Sequence, residues 1–176
     1  MKIILIGYMG CGKSNIGNIL SSIIKLKFYD LDELISLIYK MSINDIYNKY
    51  GKIKFREIET FILNYFLIKN KYKSYILSVG GGTPCYFNNI YLMNKYSNTI
   101  YLKTNINIIY DKLLEKNNKI KRPIIKNLCS YDLLNFIKNH INKRKKYYLK
   151  SKFIINIKNM SFLEIVYYII DNIIYV

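Results

Sequence analysis

Short apolar runs alternate along this chain with longer stretches of mixed character. Continuous hydrophobic runs at 2–6, 75–79 and 99–102, with shorter ones at 27–30 and 153–157, have the length and the lack of alternation expected of strands buried on both faces. Between them the spacing turns helical and predicts helices over 13–25, 32–40, 42–49, 54–69, 87–95, 105–116, 130–148 and 161–174. In 54–69 the residues Phe55, Ile58, Ile62 and Phe66 recur on one side. Ser42 is placed to cap one helix and Gly51 to close it. Strands alternating with helices imply a three-layer αβα domain over residues 1–176, built on a mostly five-stranded parallel sheet.

The first strand runs into Gly7-Tyr8-Met9-Gly10-Cys11-Gly12-Lys13-Ser14, where strand must become helix. A glycine, four residues and then Gly-Lys-Ser form a phosphate-binding loop. Its bare backbone N–H groups close around phosphate oxygens, and the helix behind them adds positive potential. Gly10, Cys11, Gly12, Lys13, Ser14 and Asn15 are the expected ATP contacts. Lys13 would reach the β- and γ-phosphates, and the Ser14 hydroxyl would sit on Mg²⁺. A chance glycine-rich turn is the bland alternative, and the flanking strand and helix weigh against it.

Other chemistry falls at the carboxyl ends of strands, where open α/β sheets bind ligands. Asp30-Leu31-Asp32 closes the second strand. Asp30 can help hold Mg²⁺ and Asp32 can meet a substrate hydroxyl, unless one or both merely cap the helix that follows. Arg56 and Glu59 share a helix face. They form either a surface ion pair of little consequence or an arginine aimed at a substrate carboxylate and steadied by its glutamate. Gly80-Gly81-Gly82 follows the third strand in sequence, and so much bare backbone suits the close approach of a small ligand.

Composition narrows these readings. The net charge of +17 invites a nucleic-acid partner. The lysines, however, are scattered, with one tight cluster at Lys143-Arg144-Lys145-Lys146. Of the 28 basic residues only Arg56, Arg122 and Arg144 are arginine, which singles them out as sites needing a planar, two-pronged donor. Cys11, Cys85 and Cys129 are odd in number and lack metal-ligand spacing, so reduced thiols are expected. The lone His140 favours a packing role over a metal site or a catalytic triad. No run is long and apolar enough to span a membrane, and a strand begins almost at once, so a cytoplasmic protein without a leader is expected.

Taken in order, the chain resembles the shikimate kinase family, P-loop kinases of the nucleoside-monophosphate-kinase structural class. The residues that carry the resemblance are the loop Gly7 to Ser14, Asp30 and Asp32, Phe55-Arg56 with Glu59, Gly80-Gly81-Gly82, Arg122-Pro123-Ile124-Ile125, and Arg144 with Tyr147-Tyr148. The resemblance implies transfer of the ATP γ-phosphoryl group to the 3-hydroxyl of shikimate, in the pathway to chorismate and aromatic amino acids. It makes Asp32 the proposed base, places Arg56 and Arg144 on the shikimate carboxylate, and sets Gly81, between Gly80 and Gly82, against the substrate. It puts acceptor-binding helices at about 31–60. It also implies a mobile lid at about 116–128 carrying Arg122 onto the ATP phosphates. Shikimate and ATP are then the partners of a monomer, with no nucleic acid and no membrane.

The departures from the family pattern are Asn15 for threonine, Ile124-Ile125 for a leucine pair, and Lys146 for proline. The arginine that stacks on adenine is also missing, and Lys112 is its nearest substitute. A gluconate or nucleotide kinase, a basic nucleic-acid-binding ATPase and a chain that binds nucleotide without catalysis are the competing readings.

Overall fold

A computed structural model describes residues 1–115, 125 and 128–175. Five strands form one sheet: β1 (Lys2–Ile6), β2 (Lys27–Asp30), β3 (Tyr75–Ser78), β4 (Asn98–Thr104) and β5 (Phe153–Ile157). Their order is β2-β3-β1-β4-β5, and every pairing is parallel. The described helices are α1 (Lys13–Ile24), α2 (Leu31–Tyr39), α3 (Ile43–Lys69), α4 (Asn89–Tyr96), α5 (Ile106–Leu114), α6 (Ser130–Tyr148) and α7 (Phe162–Ile169). A single 3₁₀ turn, Thr83–Cys85, follows the triple glycine.

The two-residue period of a strand explains why the sheet needs cover on both sides. Ile4 and Ile6 of β1 join Leu77 of β3 in a core shared with α2, α3 and α4. Ile3 and Leu5 point the other way, into a core with Ile16 and Leu20 of α1 and Ile165 and Val166 of α7. A smaller cluster packs Tyr8 of the phosphate loop against Ile109 and Leu113 of α5 and Leu133 and Ile137 of α6.

All five predicted strands and every predicted helix stand, with boundaries moved by a few residues. The largest difference is in α3, where the two predicted helices run together, broken only at Gly51 (φ 77, ψ 171). The predicted C-terminal helix stays α-helical to Ile169 and then widens into a π turn at Ile170–Ile174. Because the strands are parallel, the loops after β1, β2 and β3 emerge at one edge. The chain moves from β1 to one side and later to the other, so this edge is the topological switch point of the sheet.

Candidate active site

The loop from Gly7 to Gly12 joins β1 to α1 and lines an open cleft of about 510 Å³. Lys13, Ser14, Asp30, Asp32, Gly81 and Lys112 all border it. The Lys13 ammonium folds back onto the loop and donates to the carbonyls of Gly7 (3.0 Å) and Tyr8 (3.1 Å). The Ser14 hydroxyl donates to Asp30 Oδ2 at 2.9 Å. Asp30 does two jobs, because its Oδ1 also accepts the Asp32 backbone N–H at 3.0 Å and caps α2. The two readings of this residue are therefore compatible.

Asp32 lies in the first turn of α2 with one face open to the cleft. Protein closes around the rest of it. Burial, then the neighbouring carboxylates Asp30 and Glu59, raise its carboxyl to about 7, against the pull of Lys13 and Arg56. A carboxylate poised there suits proton abstraction near neutral pH. The hydroxyl–carboxylate pair Ser14–Asp30 also suits a nucleotide-borne Mg²⁺, which takes few protein ligands and completes its shell with phosphate oxygens and water. Among the described residues no cluster of three or more His, Cys, Asp or Glu forms a self-sufficient metal site.

Arg56 and Glu59 form a buried pair, with Nη1 to Oε2 at 2.6 Å and side-chain exposures of 9% and 1%. That removes the surface-pair alternative. The other Glu59 oxygen accepts from the Thr83 hydroxyl at 2.5 Å, and Asn89 Nδ2 donates to the Thr83 carbonyl at 3.0 Å. Arg56 Nε is buried and has no hydrogen-bond partner. The guanidinium of Arg144 lies 5.5 Å from the Tyr8 ring centroid, and Tyr148 donates to the Gly81 carbonyl at 2.5 Å.

The glycine turn covers these groups at close range. A Cβ on Gly82 would stand 2.5 Å from Arg56 Nη2, one on Gly80 2.9 Å from Glu59 Oε1, and one on Gly81 3.3 Å from Arg144 Nη1. Three glycines are needed because each meets a different part of the site. Arg56 and Arg144 pack against this turn, whose Gly80 and Gly81 border the cleft.

The structure thus brings Gly10, Gly12, Lys13, Ser14, Asn15, Asp30, Asp32, Gly80 and Gly81 to one cleft, with Arg56, Glu59, Gly82 and Arg144 behind it. Cys11 is buried at the base of the loop, its Sγ 3.8 Å from Lys13 Nζ. Arg122 and the expected lid over 116–128 lie outside the described residues, apart from Ile125 and Leu128. Lys112 borders the cleft with its ammonium 4.8 Å from the Phe162 ring centroid. Sequence reasoning overlooked Thr83, Tyr8 and Phe162. The Thr-Pro pair after the glycines signalled a turn there, but nothing in the sequence pointed to Glu59 as the partner of its hydroxyl.

Comparison with known proteins gives a consistent picture. The family model for shikimate kinase matches residues 9–174. A shikimate kinase of Azobacteroides pseudotrichonymphae is 39% identical over 165 residues, covering 94% of this chain and 95% of that protein. One from Flavobacterium psychrophilum is 40% identical over 169 residues, covering 94% of each. The crystal structure of the Bacteroides thetaiotaomicron shikimate kinase superposes with a TM-score of 0.87 at 26% identity, covering 97% of both chains.

Proposed function

The chain belongs to the shikimate kinase family, and from that membership we propose that it phosphorylates the 3-hydroxyl of shikimate with ATP, releasing ADP. The observation that carries the reading is the buried Arg56, held by Glu59 with Nε unpartnered, beneath a glycine turn that borders the same cleft as Lys13 and Asp32. A small hydroxylated acid supplies what that arrangement lacks: a carboxylate for Arg56 and Arg144, and a hydroxyl for Asp32.

In this reading the substrate carboxylate accepts from Arg56 Nε and from Arg144, which fixes the ring. The 3-hydroxyl then faces Asp32, whose carboxylate takes its proton as the oxygen forms a bond to the γ-phosphorus. The bond from the γ-phosphorus to the β,γ-bridging oxygen breaks, and its electron pair leaves on ADP. Lys13 exchanges its loop carbonyls for phosphate oxygens and offsets the charge spread over the transferred group. Ser14 and Asp30 would hold Mg²⁺, which when bound neutralises phosphate charge. Arg122, by the family resemblance, would offset charge on the transferred group. The protein works in the cytoplasm as a monomer, and its unpaired thiols Cys11, Cys85 and Cys129 suit a reducing compartment.

The test is ADP release in a coupled assay with shikimate, gluconate or a nucleoside monophosphate as acceptor. Release that depends on shikimate is expected. Turnover with gluconate or a nucleotide and none with shikimate would reject the assignment.

A further inference from the structure

Helix α6 presents His140, Arg144 and Tyr148 at four-residue spacing, so the three side chains form one stripe. Each meets a different part of the site. Tyr148 holds the Gly81 carbonyl, and Arg144 lies over the face of the Tyr8 ring. His140 Nδ1 lies 3.0 Å from the Tyr8 hydroxyl, with the rings edge to face at 5.6 Å and 89°. Tyr8 belongs to the phosphate loop. Its carbonyl accepts from Lys13 on the donor side, while its ring, 2% exposed, supports Arg144 on the acceptor side.

We propose that His140 is a positioning residue for the acceptor site: by holding the Tyr8 hydroxyl it fixes the ring on which Arg144 rests, and so fixes the guanidinium for the substrate carboxylate. In the proposed brace the phenol donates to Nδ1, and the imidazole carries its proton on Nε2. The surroundings keep the ring neutral. Burial comes first, followed by Arg144, by Lys52 and Arg56 of α3, and by Lys143 of α6. Together they push His140 down to about 4. An imidazolium would present a donor at Nδ1, and the Tyr8 hydroxyl could no longer donate to it. The contact is therefore constant through the physiological pH range and acts as a brace, not a switch.

The kinetic part of the test rests on the shikimate reading; the spectroscopic part does not. Tyr8→Phe keeps the ring and removes the hydroxyl, and His140→Ala removes the acceptor. Each should raise the shikimate KM about five- to tenfold, the scale of one hydrogen bond, with kcat and the ATP KM within twofold. The double variant should be no worse than either single variant, because both break one contact. His140→Asn places a carbonyl oxygen two bonds from Cβ, where Nδ1 stood, and should restore the KM to within twofold.

His140 is the only histidine, so its ring nitrogens give one unambiguous set of ¹⁵N NMR signals. They should report a neutral Nε2–H tautomer that does not titrate between pH 5.5 and 8, and Tyr8→Phe should shift them. Additive KM effects, equal losses in the ATP and shikimate KM, or an imidazole titrating near its ordinary value of about 6.5 would overturn the proposal. Absence of any turnover of shikimate by the unsubstituted chain would sink the functional reading, and the NMR signals would still decide whether the brace exists.

Discussion

Lys13 and Arg56 are both cations of the site, yet the fold keeps them in opposite conditions. Lys13 rests on two loop carbonyls and Ser14 on Asp30, partners that a nucleotide would replace on the proposed reading. Arg56 is buried against Glu59, which is itself held by Thr83, and one nitrogen is left without a partner. On the proposed reading the donor half would exchange contacts when its ligand arrives, and the acceptor half would gain one. A donor residue therefore matters to chemistry and little to folding, because its present contacts are stand-ins. An acceptor residue matters to both, because the same contacts that shape the pocket satisfy buried charge.

The sharpest break in this contrast is Lys13→Ala. Turnover should fall by at least about 10³-fold, the scale of a lost cation on the transferred phosphoryl group. Stability in urea should stay within about 0.5 kcal/mol. ADP release and a denaturation curve on the same sample decide it, and retained turnover would remove the loop from the mechanism.

Asp32→Asn comes next, with kcat lower by about 10²–10⁴-fold, the usual contribution of a positioned base. The pH dependence adds a second readout. In the free enzyme kcat/KM should climb with pH through about 7 as the Asp32 carboxyl loses its proton, and the variant should lack that limb. The effect on stability runs the other way. The folded pKa lies above the ordinary 3.8, so the folded state holds this proton more tightly than the unfolded chain does. That contribution is complete below about pH 4 and is lost as pH rises through about 7. Melting curves from pH 4 to 8 should show the loss in the parent and a flatter profile in the variant.

Glu59→Ala tests the acceptor half. Removing it leaves Arg56 charged, buried and unpaired, a change that costs about 3–5 kcal/mol. The shikimate KM should rise while the ATP KM holds. If stability is unchanged, the pair is not a structural part of the pocket and the contrast with Lys13 fails.

These two halves also differ in how much of them the sequence reveals. The phosphate loop is contiguous, so eight residues between a strand and a helix identify it, and Lys13 and Ser14 follow by position. The sheet is equally legible, because a strand buried on both faces must be apolar throughout, as Ile3 to Ile6 are. The acceptor half is assembled from α2, α3, the glycine turn and α6. Scarcity of arginine pointed to Arg56 and Arg144, but no spacing rule connects Thr83 to Glu59, 24 residues away, or Tyr8 to His140, 132 residues away. Those contacts exist only once the sheet order is set. Charge was the weaker guide: Lys143, Lys145 and Lys146 read as a basic cluster, whereas the helix turns the buried Arg144 inward and leaves the three lysines outside.

The mildest expected effect concerns the bend that separates the two arms of α3. Gly51 holds φ 77 and ψ 171, a region nearly closed to residues with a side chain, and a Cβ there meets nothing within 4 Å. Gly51→Ala therefore isolates the backbone term, and stability should drop by about 1–3 kcal/mol. Two structural responses are available. The bend can persist under strain, or the helix can straighten and re-aim everything after it. Arg56 begins only five residues on, but its ion pair, the Thr83 contact and the packing of its guanidinium 4.9 Å from the Tyr86 ring hold that arm from three other directions. Persistence of the bend is thus the expected response. The urea midpoint should fall while the shikimate and ATP KM both stay within twofold. A selective rise in the shikimate KM would mean that the acceptor half yields at its hinge and is less firmly built than its buried pair implies.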